Sequence, residues 1–380
     1  MAQFPLEAFT HRETPFYFYD MALLRATLAR IVSVAPQGSV VHYALKANSN
    51  EALLRVIAAA GLGADCVSGG EVRLAVAAGI SAENIVYSGV GKTDKEICES
   101  LRLGIGCFNV ESVAEIDVID ELAQREGLTA PIALRINPHI DAHTHHYITT
   151  GLSENKFGID ITLLDDVLLH VLSLRHVKLR GLHFHIGSQI TDMTAYKQLC
   201  ATVNQLIERL QQQKVAIDYV NVGGGLGVDY EEPDENAIPD FESYFGVFSR
   251  ELSLPAGVTL HFELGRSVVC QCGSLIARVL YIKEGVNKQF AILDAGMNDL
   301  MRPALYQASH KIENISSVEG RMQCYDVVGP ICESSDSFGS GVAMPELRRG
   351  DFIAIRSAGA YGESMAMQYN ARELPGVMLW

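Results

Sequence analysis

Lys46 closes an otherwise apolar run in the stretch "VHYALKANSN", residues 41–50. An amine carried out of a core in this way has two uses. It can snorkel, with its stem packed and its head in water. Partly desolvated, it can instead lose its proton and attack a carbonyl to give a Schiff base. Glu263, in "VTLHFELG" (258–265), is a carboxylate of the kind that keeps a pyridine nitrogen protonated and makes the ring an electron sink. Its plainer use is a salt bridge to Arg266. The run "VGGGLG" (222–227) lets backbone N–H groups approach an anion closely, or it is a tight turn. It is no dinucleotide fingerprint, because Val228 stands where the last glycine belongs. "VYSGVGKT" (86–93) fails as a P-loop in the same way, at Val86. "HFH" (183–185) places two imidazoles on one face of a strand, which is also how barrel hydrolases present zinc ligands. A zinc hydrolase using His183 and His185 is therefore the competing class, although its further ligands are not evident. The cluster "HTHH" (143–146) faces substrate or solvent rather than metal.

These residues need elements to hold them. Eight apolar or β-branched runs alternate with helical spacing: 40–46, 64–67, 84–89, 105–110, 132–137, 179–187, 217–225 and 258–265. That is the pattern of a (β/α)8 barrel of TIM type, spanning 25–266. Between the runs, Asn and Ser in "NSNEALLRVIAAAGLG" (48–63) supply N-caps and Gly61 a stop, and Ser112 with Glu115 forms a capping box. Beyond residue 266 come strand-like pieces with turn signals, such as 274–285, 289–296, 322–329 and 351–359. They predict a β-rich domain of barrel or sandwich type over 267–380, joined by the N-terminal strand in 1–24. Barrel enzymes carry their chemistry at the C-terminal ends of strands. Those ends hold Lys46, Asp65, Asn109, Arg135, His185, the glycines at 223–225, Glu263 and Arg266.

Composition narrows the partners. With 45 acidic against 30 basic residues the net charge is −15, which repels phosphate backbones and anionic lipid, so neither nucleic acid nor membrane is a partner. No run reaches the ~18 apolar residues of a membrane span, and the first residues carry no basic-then-apolar leader. The protein is expected in the cytoplasm. Its eight cysteines lack the density of a disulfide scaffold, and Cys270 and Cys272 lack zinc-site spacing, so both read as core.

Taken in order, the motifs "TPFYFYD", "YALKANSN", "GADCVSGGE", "GVGKTDKEI", "RINPHIDAHTHHYITTGLSENKFG", "GLHFHIGSQI", "VGGGLG", "ELGR", "DAGMNDLMRPALY", "VVGPICESSD" and "AGAYGESMAMQYN" run over nearly the whole chain. With them it resembles the alanine-racemase-like (fold-type III) decarboxylases that use pyridoxal 5'-phosphate. "AHTHHYITTG", "MNDLMRPALY" and "CESSD" resemble the diaminopimelate branch rather than the ornithine and arginine decarboxylases. The resemblance implies decarboxylation of meso-2,6-diaminopimelate to L-lysine and CO2. It also implies roles. Lys46 would carry the cofactor, His185 would stack on its ring, and Glu263 would face the pyridine nitrogen. Asp65 and Arg135 would lie near the ring edge. Ser188, Gly224, Gly225, Gly265, Arg266 and Tyr361 would complete the cofactor site. Arg266, Arg302, Tyr306, Glu333 and Tyr361 would bind the amino-acid substrate, Cys332 would return a proton, and no metal would take part. The family acts as a homodimer with sites at the interface, where the partner chain supplies Cys332 and Glu333. Two positions depart from the family pattern. Leu264 replaces the usual proline after the glutamate and would relax the turn at Arg266; Ser335 stands where glycine is common and would be less at ease with φ > 0.

Overall fold

The computed structural model describes residues 4–140, 156–317 and 319–380. The "HTHH" cluster therefore lies outside the described residues. The chain divides into two compact units: Leu28–Gly227 with Asp240–Arg266, and Met1–Thr27 with Val228–Pro239 and Ser267–Trp380. The segment Val228–Pro239, which the sequence pattern alone leaves with the barrel, thus groups with the β-rich unit.

The first strand, β1 (Phe16–Tyr19), belongs to the β-rich unit. The other unit is built on β2 (Val40–Ala44), β3 (Gly63–Cys66), β4 (Ile85–Tyr87), β5 (Cys107–Val110), β6 (Ala130–Asn137), the two-residue β7 (Ile159–Asp160), β8 (Val177–His183), β9 (Tyr219–Asn221) and β10 (Thr259–Leu264). The parallel order β5-β4-β3-β2-β10-β9-β8-β6 is closed by pairing of β5 with β6, and β7 hangs on β6 alone. This is the eight-stranded parallel barrel that the sequence predicts. Several strands stop earlier than the apolar runs do. Lys46 sits on a 3-10 turn, Leu45–Ala47, beyond β2, and His185 lies two residues past the end of β8. The glycines leave β9 because Gly223 and Gly225 take φ of +70° and +98°, which no strand accommodates.

Local signals account for the helices. The Asn50 side chain caps Glu51–Ala59, accepting from the N–H of Ala52, and Gly61 ends that segment at φ +86°. At Ser112 only half of the expected capping box forms. Its Oγ accepts from Glu115 N–H at 3.2 Å, but the Glu115 carboxylate turns to Glu111 N–H and to Lys92. A complete box stands instead at Thr93 and Glu96.

Because side chains alternate along a strand, each barrel strand sends every second residue inward. A lower layer packs Val86, Cys107, Ala133 and Tyr219. Beside it His42 Nε2 and His261 Nδ1 lie 2.9 Å apart with their rings nearly parallel. Burial pulls the pKa of His42 down from 6.5 to about 4 and that of His261 to about 2. An unfolded histidine titrates near 6.5, so below that pH the unfolded chain binds more protons than the folded one. The stability this gives is whole above pH 6.5 and is lost as pH falls toward 4. For His42 alone the linkage relation gives a loss of roughly 2 kcal/mol between pH 7.5 and 5, before most carboxylates titrate. Denaturant unfolding across that window should show the fall, and His42→Gln should flatten it; equal slopes in both proteins would refute the assignment.

In the β-rich unit, the strands β11 (Gly273–Glu284), β12 (Gln289–Leu293), β13 (Ile312–Asn314), β14 (Met322–Val328), β15 (Ser337–Pro345), β16 (Phe352–Ile355) and β17 (Gly376–Leu379) join β1. The order is β13-β16-β11-β12-β14-β15, with β1 antiparallel to β11 and parallel to β17. Phe9, Phe16, Phe18, Ile276, Phe352 and Met378 form its aromatic-rich core. Cys270 and Cys272 are buried and free, as core residues. No described helix is long and apolar enough to cross a membrane.

Candidate active site

The upper, inward-facing layer of the barrel is polar. Lys46 Nζ lies 3.0 Å from Asp65 Oδ2, and Asp65 is fully buried on β3. Burial, with the charge of Glu263, raises the Asp65 pKa against the pull of Lys46. Glu263, on β10, takes three donors: Asn109 Nδ2 at 3.1 Å and Asn221 Nδ2 at 2.7 Å on Oε1, and His183 Nε2 at 3.0 Å on Oε2. Burial alone would push this carboxyl up. The attraction and hydrogen bond of His183, with the charge of Lys46, overcome it and hold the group well below the ordinary carboxylate range. Glu263 therefore stands ionised inside the barrel. It bonds the two asparagines and the histidine, and it makes no salt bridge to Arg266.

Arg266 turns elsewhere. Its Nη2 and Nε donate to Ser188 Oγ at 3.0 and 3.4 Å. The turn that carries it is a short helix, Arg266–Val269, separated by Gly265 alone from β10, whose last residue Leu264 is fully buried in register with Tyr43. The substitution for proline is thus absorbed into a continuous strand. Arg135 donates to Glu111 Oε1 at 2.7 Å and lies over the Phe157 ring. His185 is held neutral: burial, then the charges of Arg135 and Lys46, press its pKa well below 6.5.

The glycine turn is a cradle that side chains would fill. A Cβ on Gly224 would stand 1.7 Å from the Glu263 carbonyl oxygen, and one on Gly225 would stand 2.5 Å from that of Gly187. The N–H groups of Gly224 and Gly225 donate to no protein acceptor among the described residues. Gly265 packs against Ala44 and Ala47, where a Cβ would come within 3.1 Å. An amine beside a buried carboxylate, an ionised glutamate and a backbone anion cradle fit the chemistry of pyridoxal phosphate.

The remaining predicted residues lie in the β-rich unit. Arg302 and Tyr306 stand one turn apart on the helix Arg302–Tyr306. Arg302 is buried, donates to His310 Nε2 at 2.9 Å and lies 4.8 Å over the Tyr230 ring. His310 Nδ1 donates to the Arg356 carbonyl at 2.8 Å, which leaves Nε2 as the acceptor for the guanidinium. Cys332 and Glu333 are exposed on a loop, where Tyr369 hydroxyl donates to Glu333 Oε1. The loop is pinned by Asp336, whose carboxylate accepts from Ile331 and Met297 N–H at 2.6 and 2.7 Å. Ser335 is not among the described residues with positive φ, so the loop makes no left-handed demand there. Tyr361, by contrast, holds φ +57°.

Some of these partners carry no sequence signal beyond position. Asn109 was legible only as a strand end, and Asn221 only by period two from Tyr219 and Gly223. His310, Tyr230 and Asp336 had none. His183 read as a possible zinc ligand, yet its Nε2 is committed to Glu263, and no cluster of three metal-ligating side chains occurs among the described residues.

The chain is similar to known proteins in sequence and in fold. Residues 22–270 match the family described as "Pyridoxal-dependent decarboxylase, pyridoxal binding domain". The chain is 56% identical over 375 residues to a diaminopimelate decarboxylase of Bacteroides thetaiotaomicron, covering 98% of this chain and 97% of that one. It is 44% identical to the diaminopimelate decarboxylase of Helicobacter pylori strain J99, covering 96% and 90%. The crystal structure of the Helicobacter pylori enzyme complexed with L-lysine superposes with a TM-score of 0.93 at 41% identity, over 99% of this chain and 93% of that one.

Proposed function

The chain belongs to the pyridoxal-dependent decarboxylases, in their diaminopimelate branch, and from that membership we propose that it removes CO2 from meso-2,6-diaminopimelate to leave L-lysine. The observation that carries the reading is the ionised, buried Glu263 at the end of β10, in a barrel mouth that also holds Lys46. Pyridoxal 5'-phosphate, when bound, supplies the electron sink for the pair released as the carbon–carboxylate bond breaks.

The chain's own residues do the rest. Lys46 would anchor the cofactor through its amine, with Asp65 beside it. Glu263 would accept from the ring N–H and keep that proton in place. His185, neutral, would offer a flat face to the ring. Gly224, Gly225, Gly265, Ser188 and Tyr361 would hold the phosphate, while Arg135, fixed by Glu111, would stand at the edge. Arg266, Arg302, Tyr306 and Tyr361 receive the substrate, the arginines as forks for its carboxylates. In a homodimer, the partner subunit's Glu333 pairs with the distal ammonium and the partner subunit's Cys332 gives its thiol proton to the carbon that lost CO2. A substrate without the distal group leaves a buried arginine, Arg266 or Arg302, without its carboxylate, the costly case in recognition.

A substrate panel tests this. Release of CO2 from meso-diaminopimelate with added cofactor should exceed release from ornithine, arginine or carboxynorspermidine by about 10^3-fold or more. Comparable rates on ornithine would move the protein to another branch of the same chemistry.

A further inference from the structure

The groups around Glu263 are themselves fixed. Asn221 Nδ2 donates to Tyr219 hydroxyl at 2.6 Å as well as to Glu263 Oε1, while its Oδ1 accepts from Gly223 N–H at 2.9 Å. A backbone N–H can only donate, so the amide has one orientation, with its NH2 toward the carboxylate. Asn109 divides its NH2 between Ser88 Oγ at 3.0 Å and Glu263, and its Oδ1 accepts from Tyr219 hydroxyl at 3.4 Å. His183 donates from Nε2, and its Nδ1 is buried with no hydrogen-bond partner among the described residues. An ionised carboxylate only accepts, so Nε2 is a nitrogen that carries a proton. A carboxylate offers roughly four lone-pair directions. Among the described residues three are taken, two on Oε1 and one on Oε2, which leaves the fourth on Oε2.

We propose that Asn109, Asn221 and His183 are positioning residues that hold Glu263 as an anion with a single acceptor direction open, and that Asn221 ties this carboxylate to the glycine turn. The inference rests on the reading that Glu263 meets the ring nitrogen of the cofactor. One amide then registers both ends of the ligand, because Asn221 sets Glu263 with its NH2 and Gly223, at the head of the anion cradle, with its oxygen. The arrangement also explains why an inner layer of the barrel carries two asparagines. An aspartate at either position would aim a second anion at Oε1, and an apolar residue would leave that oxygen short of donors.

The test uses Asn221→Asp, which keeps an acceptor for Gly223 but replaces the donor facing Glu263. In the protein freed of cofactor, isotope-edited infrared spectroscopy of labelled glutamate, assigned with Glu263→Gln, should show residue 263 ionised at pH 7 in the wild type. Asn221→Asp should introduce a protonated carboxyl shared with Glu263. Affinity for pyridoxal phosphate by equilibrium dialysis should fall roughly ten- to hundredfold in Asn221→Asp and His183→Leu, the worth of a charge-assisted hydrogen bond. His183→Gln, which keeps an N–H near the position of Nε2, should restore affinity to within about threefold. Asn109→Asp loads the same oxygen without touching Gly223 and serves if Asn221→Asp does not fold. Both carboxyls of the pair ionised at pH 7 in both aspartate variants, or wild-type affinity in His183→Leu, overturns the proposal. Wild-type affinity and absorption in Glu263→Gln would instead defeat the cofactor role of Glu263, while the infrared result still decides the role of the cage.

Discussion

Replacing Lys46 by alanine is expected to lower decarboxylation by on the order of 10^4-fold or more and to remove the visible absorption of the protein reconstituted with pyridoxal phosphate. Borohydride treatment of the wild type should leave the pyridoxyl mass on the peptide containing Lys46 and on no other. Lys46→Arg separates the two duties of this side chain. Arginine keeps the positive charge for Asp65, which has Lys46 as its bonded partner at 3.0 Å, but it stays protonated and cannot act as a nucleophile. Both variants should therefore be equally inactive, whereas only Lys46→Ala should lose stability, by up to about 3 kcal/mol, through the unpaired buried carboxylate. Because burial already raises the Asp65 pKa, the alanine variant should recover stability at low pH, as Asp65 takes up a proton. Residual absorption or activity in Lys46→Arg would remove Lys46 from the chemistry.

The second large effect concerns Arg302. It is 6% exposed, and among the described residues it has an imidazole and an aromatic face for company but no bonded carboxylate. A buried guanidinium in that state is suited to an anion from outside the chain, the role proposed for it here. Arg302→Ala should lower kcat/KM for diaminopimelate by on the order of 10^3-fold, matching the ~3–5 kcal/mol typical of a broken buried charge pair. Arg302→Lys should recover little of it, since an ammonium cannot reproduce the fork or the stacking on Tyr230. The absorption of bound pyridoxal phosphate should stay unchanged in both, which distinguishes lost substrate recognition from lost cofactor. Steady-state kinetics with an unaltered kcat/KM would exclude the residue.

What the sequence made legible follows the physics of each element. The barrel could be read because eight apolar runs interrupted by capped helices leave a pattern of local origin, and the strand ends that carry Lys46, Asp65, Asn109 and Glu263 come with it. The partners of Glu263 could not be read, because the pairing of β10 with β9 and the closure of β5 on β6 bring residues together that are remote along the chain. Asn221 was hidden in another way: it stands beside a glycine run whose turn chemistry draws attention from the residue before it. Strand lengths were overstated, since hydrophobicity continues through "YALK" and "HFHIG" after the ladder has ended. The concern over Ser335 rested on a glycine preference, and its backbone makes no use of that freedom here. Tyr230 reaches Arg302 from the segment Val228–Pro239, an excursion that no periodicity announces.

The placement of β1 bears on how the molecule is made. Phe16 pairs with Ile276 on one side and with Gly376 on the other, so one early strand is bordered by two late ones. During synthesis the barrel strands emerge in order and can close among themselves, while Phe16, Tyr17, Phe18 and Tyr19 wait without partners on either edge. An apolar strand with two open edges invites pairing with other chains until residues 273–276 and then 376–379 have followed it out. The β-rich unit is therefore the slow and aggregation-exposed part of the chain, since the pairings of β1 span the greatest sequence distance.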